Sequence, residues 1–79
     1  MGYSSHANGI SSTAMGNGAH ANGNDSIAMG ASAQATGDDA IAMGTSTQAI
    51  ASDAIAIGKF SLANGVKFSM AMGYNNQAL

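Results

Sequence analysis

The stretch IAMGASAQATGDDAIAMGTSTQAIASDAIAIG, residues 27 to 58, states one short pattern three times. Each copy places two large apolar residues two positions apart and follows them with glycine. The glycines that close this pattern along the chain are Gly2, Gly16, Gly30, Gly44, Gly58 and Gly73. They are separated by 14, 14, 14, 14 and 15 residues. A fixed internal period of this kind is typical of a solenoid, in which each repeat stacks on its neighbours.

The composition of the unit favours strands over helices. Most units carry two glycines and clusters of Asn, Asp, Ser and Thr, which break helices and mark turns. Apolar and small residues alternate with period two, as they do in a strand. We therefore predict an all-β chain, a single domain over 1–79, built from about five coils of two strands and two tight turns. The predicted units are 2–15, 16–29, 30–43, 44–57 and 58–72, with a partial unit over 73–79.

The overall composition predicts self-association. A chain of 79 residues seldom holds a fold with one core alone. Its hydrophobic content of 46% includes 17 alanines, which bury little area, and there is no cysteine to cross-link it. The redox compartment therefore stays open. The net charge of −2 argues against nucleic acid as a partner. Apolar runs are too short for membrane insertion by this chain, and residues 1–20 lack a signal-peptide pattern.

The two faces of the first strand differ in side-chain size. If the closing glycine is position 1, positions 12 and 14 are large and apolar, whereas positions 11 and 13 are small. Alternation in a strand places these two sets on opposite faces. We predict that the large set fills the interior of the roll, against small residues of the second strand. This predicted interior consists of Met15, Ile27, Met29, Ile41, Met43, Ile55, Ile57, Met70 and Met72.

The small residues of the same strand then face outwards and form a smooth, uncharged strip. A solvated face would carry charges, so we predict that several copies of the chain meet there. The predicted interface between copies consists of Ala14, Ala28, Ala40, Ala42, Ala54, Ala56 and Ala71.

The polar residues of the second strand predict an outer face that binds a ligand through many weak, repeated contacts. Its residues are His6, His20, Asn22, Gln34, Thr36 and Gln48. Two histidines one coil apart could also act as metal ligands. No cysteine or carboxylate shares their row, so a solvated face is favoured and we predict no metal.

Asp25, Asp39 and Asp53 occupy position 10 of three consecutive units. Stacked carboxylates can bind a cation, but several converging oxygens are needed and no such pattern is visible. We favour a role in capping backbone N–H groups of the turn.

The fifth unit, KFSLANGVKFSMAMG, has one extra residue, which indicates a bulge or a longer turn. It also holds both lysines and both phenylalanines of the chain, Lys59, Phe60, Lys67 and Phe68. Two interpretations stay open: a docking site for a larger partner, and a seal at the base of the roll.

Catalysis has little support in this sequence. There is no Cys, Glu or Arg, and no nucleophile, zinc-protease or phosphate-loop motif occurs. We predict a non-enzymatic chain with no cofactor. The threonines of TST at 45–47 suggest ice binding as another function. No row of threonines forms along the units, so ice binding is a distant third interpretation.

The repeats DSIAMGASAQATG, DAIAMGTSTQAIA and DAIAIGKFSLANG resemble the head repeats of YadA-like trimeric autotransporter adhesins. The resemblance covers essentially the whole chain. It implies a left-handed parallel β-roll that assembles as a homotrimer, with one strand of each coil around the three-fold axis. Methionine at position 14 departs from the family's usual aliphatic residue. Related rolls also occur in phage structural proteins.

Two functions follow from this resemblance. Such adhesins carry a signal peptide, a coiled-coil stalk and a membrane barrel, and the 79 residues show none of these. The first and last units also look like matched ends, with tyrosine only at Tyr3 and Tyr74. We therefore expect a virion-surface component, such as a capsid decoration or fibre protein that docks on a larger assembly. The alternative is an adhesin head on the bacterial outer membrane that binds a host surface ligand.

Overall fold

The computed structural model describes residues 5–63, 70–74 and 77–78, and these form a parallel β-solenoid without a helix. The strands in chain order are β1 His6–Ala7, β2 Thr13–Met15, β3 His20–Ala21, β4 Ile27–Met29, β5 Gln34–Ala35, β6 Ile41–Met43, β7 Gln48–Ala49, β8 Ile55–Lys59, β9 Leu62–Ala63, β10 Met70–Tyr74 and β11 Gln77–Ala78. The all-β solenoid predicted from the repeat is confirmed, and the described residues form about four turns where about five were predicted.

Alternate strands form two parallel sheets. Sheet A has the order β1-β3-β5-β7-β9-β11, and sheet B has the order β10-β8-β6-β4-β2. Within each sheet a residue pairs with its equivalent in the next unit, as Ile27 pairs with Ile41. Ile55 pairs with Met70, so the register absorbs the extra residue of the fifth unit. The predicted bulge for that residue lies outside the described residues.

Backbone hydrogen bonds join each coil to the next. The N–H of His20 donates to the carbonyl of Ala33 at 2.8 Å, and the N–H of Ile27 donates to the carbonyl of Ala40 at 2.9 Å. Since every unit repeats the pairing, identical positions stack along the solenoid at about 4.8 Å. A side-chain type that recurs in the repeat therefore becomes a row on the surface or in the interior.

Two turns per coil rely on left-handed backbone conformations. Positions 3 and 10 have φ between 57° and 61° at Ser11, Asp25, Ser32, Asp39, Ser46, Asp53 and Phe60. Aspartate tolerates this conformation better than most residues, which explains why it recurs at position 10. The closing glycine has φ of 116° to 125° in Gly30, Gly44 and Gly58. A Cβ on Gly44 would also clash with the carbonyl oxygen of Gly58. Glycine therefore recurs every 14 residues because this position requires both a positive φ and the absence of a Cβ.

The apolar core between the two sheets consists of alanine. Its buried apolar residues are Ala14, Ala19, Ala21, Ala28, Ala33, Ala35, Ala40, Ala42, Ala49, Ala54, Ala56, Ala63 and Ala71. The fully buried side chains of greatest volume are Thr47, Ser26 and Ser61. The Cα trace extends 28 × 23 × 10 Å, so the coil is flat. Short turns and a thin coil leave room for the small side chains of alanine, serine and threonine.

This interior reverses the predicted faces of the first strand. The alanines predicted as an interface between copies are inside: Ala14, Ala28, Ala40, Ala42, Ala54, Ala56 and Ala71 are at most 4% exposed. The large residues predicted for the interior point outwards: Met15, Ile27, Met29, Ile41, Met43, Ile55, Ile57, Met70 and Met72 are half-buried or exposed. The prediction separated the two faces correctly, but it was wrong about which face lies inside the roll. Two sheets joined by such short turns lie too close together for isoleucine or methionine between them.

Candidate interaction surfaces

The outer surface of sheet B is a continuous apolar face. We name it the Ile/Met face, and it consists of Met15, Ile27, Met29, Ile41, Met43, Ile55, Ile57, Met70 and Met72. Met15 is 37% exposed, Met70 56% and Met72 55%. Because these side chains stack in two rows over five strands, they form one contiguous patch. Large contiguous apolar patches on a folded chain mark sites of association.

A lysine and two aromatic rings lie at one corner of this face. We name Lys59, Phe60 and Tyr74 the Lys59 corner. The Lys59 ammonium lies 5.5 Å from the centroid of the Phe60 ring and 5.8 Å from that of Tyr74. The two rings meet edge to face, with centroids 6.1 Å apart. These distances suit cation–π attraction, so the rings hold the charge at the end of β8.

Two of the four residues predicted as a docking site in the fifth unit lie in the described part of the chain. Lys59 and Phe60 are exposed and adjacent, and Phe60 keeps a left-handed backbone with φ of 59°. Lys67 and Phe68 lie outside the described residues. Tyr74 was missed as a member of this corner. Its register pairing with Lys59 could have revealed it, since both residues occupy position 2 of their units.

The outer surface of sheet A carries the predicted polar face. Asn22, Thr36, His6 and Gln48 are exposed, while His20 and Gln34 are partly exposed. The rings of His6 and His20 stack with centroids 4.9 Å apart and an interplanar angle of 13°. Beside them, the Asn8 amide donates to the side-chain oxygen of Asn22 at 2.8 Å. Stacked planar groups thus form an ordered polar row whose members repeat at the spacing of the coils.

No group of three or more histidine, cysteine or acidic side chains suited to a metal occurs in the described part of the chain. The rings of His6 and His20 are nearly parallel, at an interplanar angle of 13° and a centroid distance of 4.9 Å. The lone pairs of a histidine lie in its ring plane, so two stacked rings do not converge on one ion.

The turn that precedes sheet B carries the acidic row. Desolvation, followed by repulsion from Asp53 and then Asp25, raises the pKa of Asp39 above its usual value of 3.8. Backbone capping is performed one position earlier than predicted. The side chain of Asn24 accepts from the N–H of Ile10 at 3.0 Å, and that of Asp38 accepts from the N–H of Asn24 at 3.1 Å. Position 9 caps the neighbouring coil, and position 10 supplies the left-handed turn.

The hydroxyls inside the roll differ in their hydrogen bonding. The Ser26 hydroxyl donates to the carbonyl of Gly23 at 2.7 Å, and that of Ser61 donates to the carbonyl of Gly73 at 2.6 Å. The buried Thr47 hydroxyl has no partner. Thr47 replaces an alanine found at the same position of two earlier coils, so it is an internal irregularity.

The described residues contain no pocket, and their surfaces suited to recognition are extended and flat. A helix long and apolar enough to cross a membrane is likewise absent from this part of the chain.

Together, the parallel two-strand coils, the 14-residue register and the apolar outer sheet define a β-roll of repeated units. The family described as the YadA head domain repeat (2 copies) matches residues 1–19, 7–33, 21–47, 35–61 and 49–76. The chain therefore belongs to the YadA head repeat family, as its repeats predicted. Membership indicates a surface-exposed, adhesin-like head domain. No curated protein matches the chain.

Proposed function

We propose that the chain is a non-enzymatic attachment module, a homotrimeric head of the adhesin type, in which the Ile/Met face forms the trimer core. The observation that carries this proposal is the exposure of large apolar side chains on all five strands of sheet B. The interior of a single chain is almost entirely alanine. Burial of the Ile/Met face between copies supplies the apolar area that this interior lacks.

Three copies around an axis parallel to the stack suit this face. Each chain presents a flat sheet with two rows of large side chains, which interdigitate where three such sheets meet. Membership of the YadA head family supports a trimer over other orders of assembly. The left-handed coil implied by the resemblance belongs to the same proposal.

Assembly around sheet B leaves the polar face of sheet A on the outside. His20, Gln34 and Thr36 are then presented three times around the trimer and repeatedly along it. Many weak contacts of this kind add up to stable attachment even when each is weak. We assign attachment to a host surface to this face.

Assembly is tested by native mass spectrometry of the purified chain across a dilution series. We expect a persistent species near three times 7.7 kDa. Ile41→Glu on the Ile/Met face should yield monomers, because three carboxylates would be buried together without partners. Gln34→Glu on sheet A is the matched control and should remain trimeric. A wild-type chain that stays a folded monomer would contradict the proposal, and trimers of Ile41→Glu would place the interface elsewhere.

Attachment is tested with fluorescent beads that carry the wild-type chain or a variant, applied to cultured epithelial cells. Gln34→Glu together with Gln48→Glu should reduce bead binding while the trimer persists. Equal binding by this variant would remove the polar face of sheet A from the attachment function.

A virion role remains a second proposal, and the Lys59 corner is the observation in its favour. Phe60 is 45% exposed and Tyr74 69% exposed at one end of the roll, where a larger assembly could be contacted. Mass spectrometry of purified phage particles and of outer-membrane fractions from the source culture separates the two functions. Detection in particles supports the virion role, and detection in outer membranes supports the adhesin role.

A further inference from the structure

The charged side chains of the described residues are divided between the two edges of sheet B. All four acidic residues, Asp25, Asp38, Asp39 and Asp53, lie in the turns from which its strands begin. Lys59 lies at the opposite edge, where β8 ends. No ion pair forms among the described residues. Asp25, Asp38, Asp39 and Lys59 are exposed and Asp53 is half-buried, so charge of opposite sign lies at the two margins of the Ile/Met face.

Lys59 and Asp53 belong to the same coil, at the two ends of one strand. Lys59 follows Asp53 by six steps of nearly extended chain, which corresponds to about 20 Å. This distance exceeds the reach of both side chains, so the two charges cannot neutralise each other within one molecule. Meanwhile Phe60 and Tyr74 hold the Lys59 ammonium at its corner through contacts of 5.5 and 5.8 Å.

Rotational symmetry brings these two edges together. In a ring of copies around an axis parallel to the stack, the edge where strands end meets the edge where the neighbour's strands begin. Rotation about that axis leaves heights unchanged, so Lys59 faces the neighbour's Asp53 and not its Asp25 or Asp39. In the coils of Asp25 and Asp39, the residues equivalent to Lys59 are Ala31 and Thr45, which carry no charge. An antiparallel pair of stacks would bring the Lys59 edges of both copies together.

We propose that Lys59 of each subunit pairs with Asp53 of the next subunit, and that this contact selects the parallel, ring-closed arrangement of the stacks. The partner is a second copy of this chain, and the inference rests on the proposed assembly through the Ile/Met face. Complementary charges at the rim fix orientation and register, while the apolar face supplies the affinity. The raised pKa of Asp39 agrees with an acidic row that is uncompensated within one chain.

The test compares dissociation on dilution for the wild type, Lys59→Asp, Asp53→Lys and the double exchange of both residues. Each single variant should dissociate at a concentration about tenfold higher than the wild type or more, because like charges then face each other. The double exchange should return close to the wild-type value. Circular dichroism establishes that each variant keeps its strands.

Asp25→Lys is the matched control for Asp53→Lys. Both residues occupy position 10 with φ near 60°, and both changes alter the net charge equally. Asp25→Lys should assemble as the wild type does, since its neighbour at that height is Ala31.

Failure of this inference is distinguishable from failure of the trimer proposal. A monomeric wild type overturns both. A wild type that assembles, with Asp53→Lys no weaker than Asp25→Lys, overturns the Lys59–Asp53 pair alone. A double exchange that is as weak as the single variants also overturns it.

Discussion

The two faces of sheet B are made by the same strands and differ in what covers them. Ala28, Ala42 and Ala56 are completely buried by sheet A of their own chain. Ile41 and Met43, their neighbours in sequence, lie on the outside and remain partly exposed. The smaller residues therefore form the interior and the more hydrophobic ones form the surface. In a coil this thin, side-chain volume decides which face is inside, and hydrophobicity decides where a second molecule binds.

Enlarging the interior should have the largest effect on this comparison. Ala42→Ile adds three carbons between two sheets that are held together at both ends by short turns. Overpacking of a close-packed interior costs about 1–3 kcal/mol or more, and the alanine rows above and below Ala42 offer no slack. We expect loss of the cooperative thermal transition by circular dichroism. Ala31→Ile, at an exposed turn position, is the control and should fold normally. A stable Ala42→Ile roll would mean that the faces are assigned wrongly.

Glycine substitutions separate conformational strain from steric exclusion in the turns. Gly44→Ala introduces a Cβ against the backbone of Gly58 as well as a strained φ of 117°. Gly18→Ala also has a positive φ, of 75°, but its nearest new contact is 3.8 Å away. We expect Gly18→Ala to lower the free energy of unfolding by about 1 kcal/mol and Gly44→Ala to lower it by clearly more. Urea unfolding at one fixed protein concentration measures the difference. Equal losses would show that the stacked backbones can move apart.

Two buried hydroxyls provide a finer test of the interior. Ser26→Ala removes a hydrogen bond to the Gly23 carbonyl and should cost about 1 kcal/mol. Thr47→Val keeps the shape of a side chain whose hydroxyl has no partner, so it should be neutral or slightly stabilising. Chemical denaturation of both variants beside the wild type gives the comparison. A loss in Thr47→Val as large as that in Ser26→Ala would reveal a hydrogen bond from Thr47.

The architecture was predictable from the sequence because a 14-residue period determines register directly. Each unit can pair only with its equivalents, so strand order and stacking follow from the spacing of the glycines. The polar outer face followed as well, because His20 and Gln34 alternate with buried alanines.

The orientation of sheet B was not predictable in the same way. Alternation distinguishes two faces without saying which is inside, since a shift of one residue reverses every side chain. The missing quantity was the separation of the sheets, which depends on how the turns close. The left-handed conformations at Ser32 and Asp39 signal short, tight turns and a thin coil. Asp and Ser at these two positions predict tight turns, and tight turns favour an interior of small residues such as alanine. The capping roles of Asn24 and Asp38 are also inter-coil contacts that a reading of single turns does not reveal.

The smallest expected effect concerns the acidic row at the edge of sheet B. The pKa of Asp39 is raised by desolvation and by its neighbours Asp53 and Asp25, so ionisation of this carboxyl is less favourable in the folded chain than in the unfolded one. Its charge therefore lowers stability at neutral pH. As the pH falls through the raised pKa, the folded chain takes up a proton and this loss is relieved.

Asp39→Asn should accordingly raise the Tm slightly at pH 7, because asparagine accepts a left-handed φ of 59° without adding charge. The advantage should shrink as the pH falls through the raised pKa of Asp39, because the wild-type carboxyl then takes up a proton. Thermal unfolding from pH 7 down to pH 3.5 measures the trend. Ser32→Asn, at the other left-handed turn, controls for asparagine itself and should show no such pH dependence. An Asp39→Asn advantage that is constant with pH would assign the gain to backbone conformation, and repulsion along the acidic row would then contribute nothing to stability.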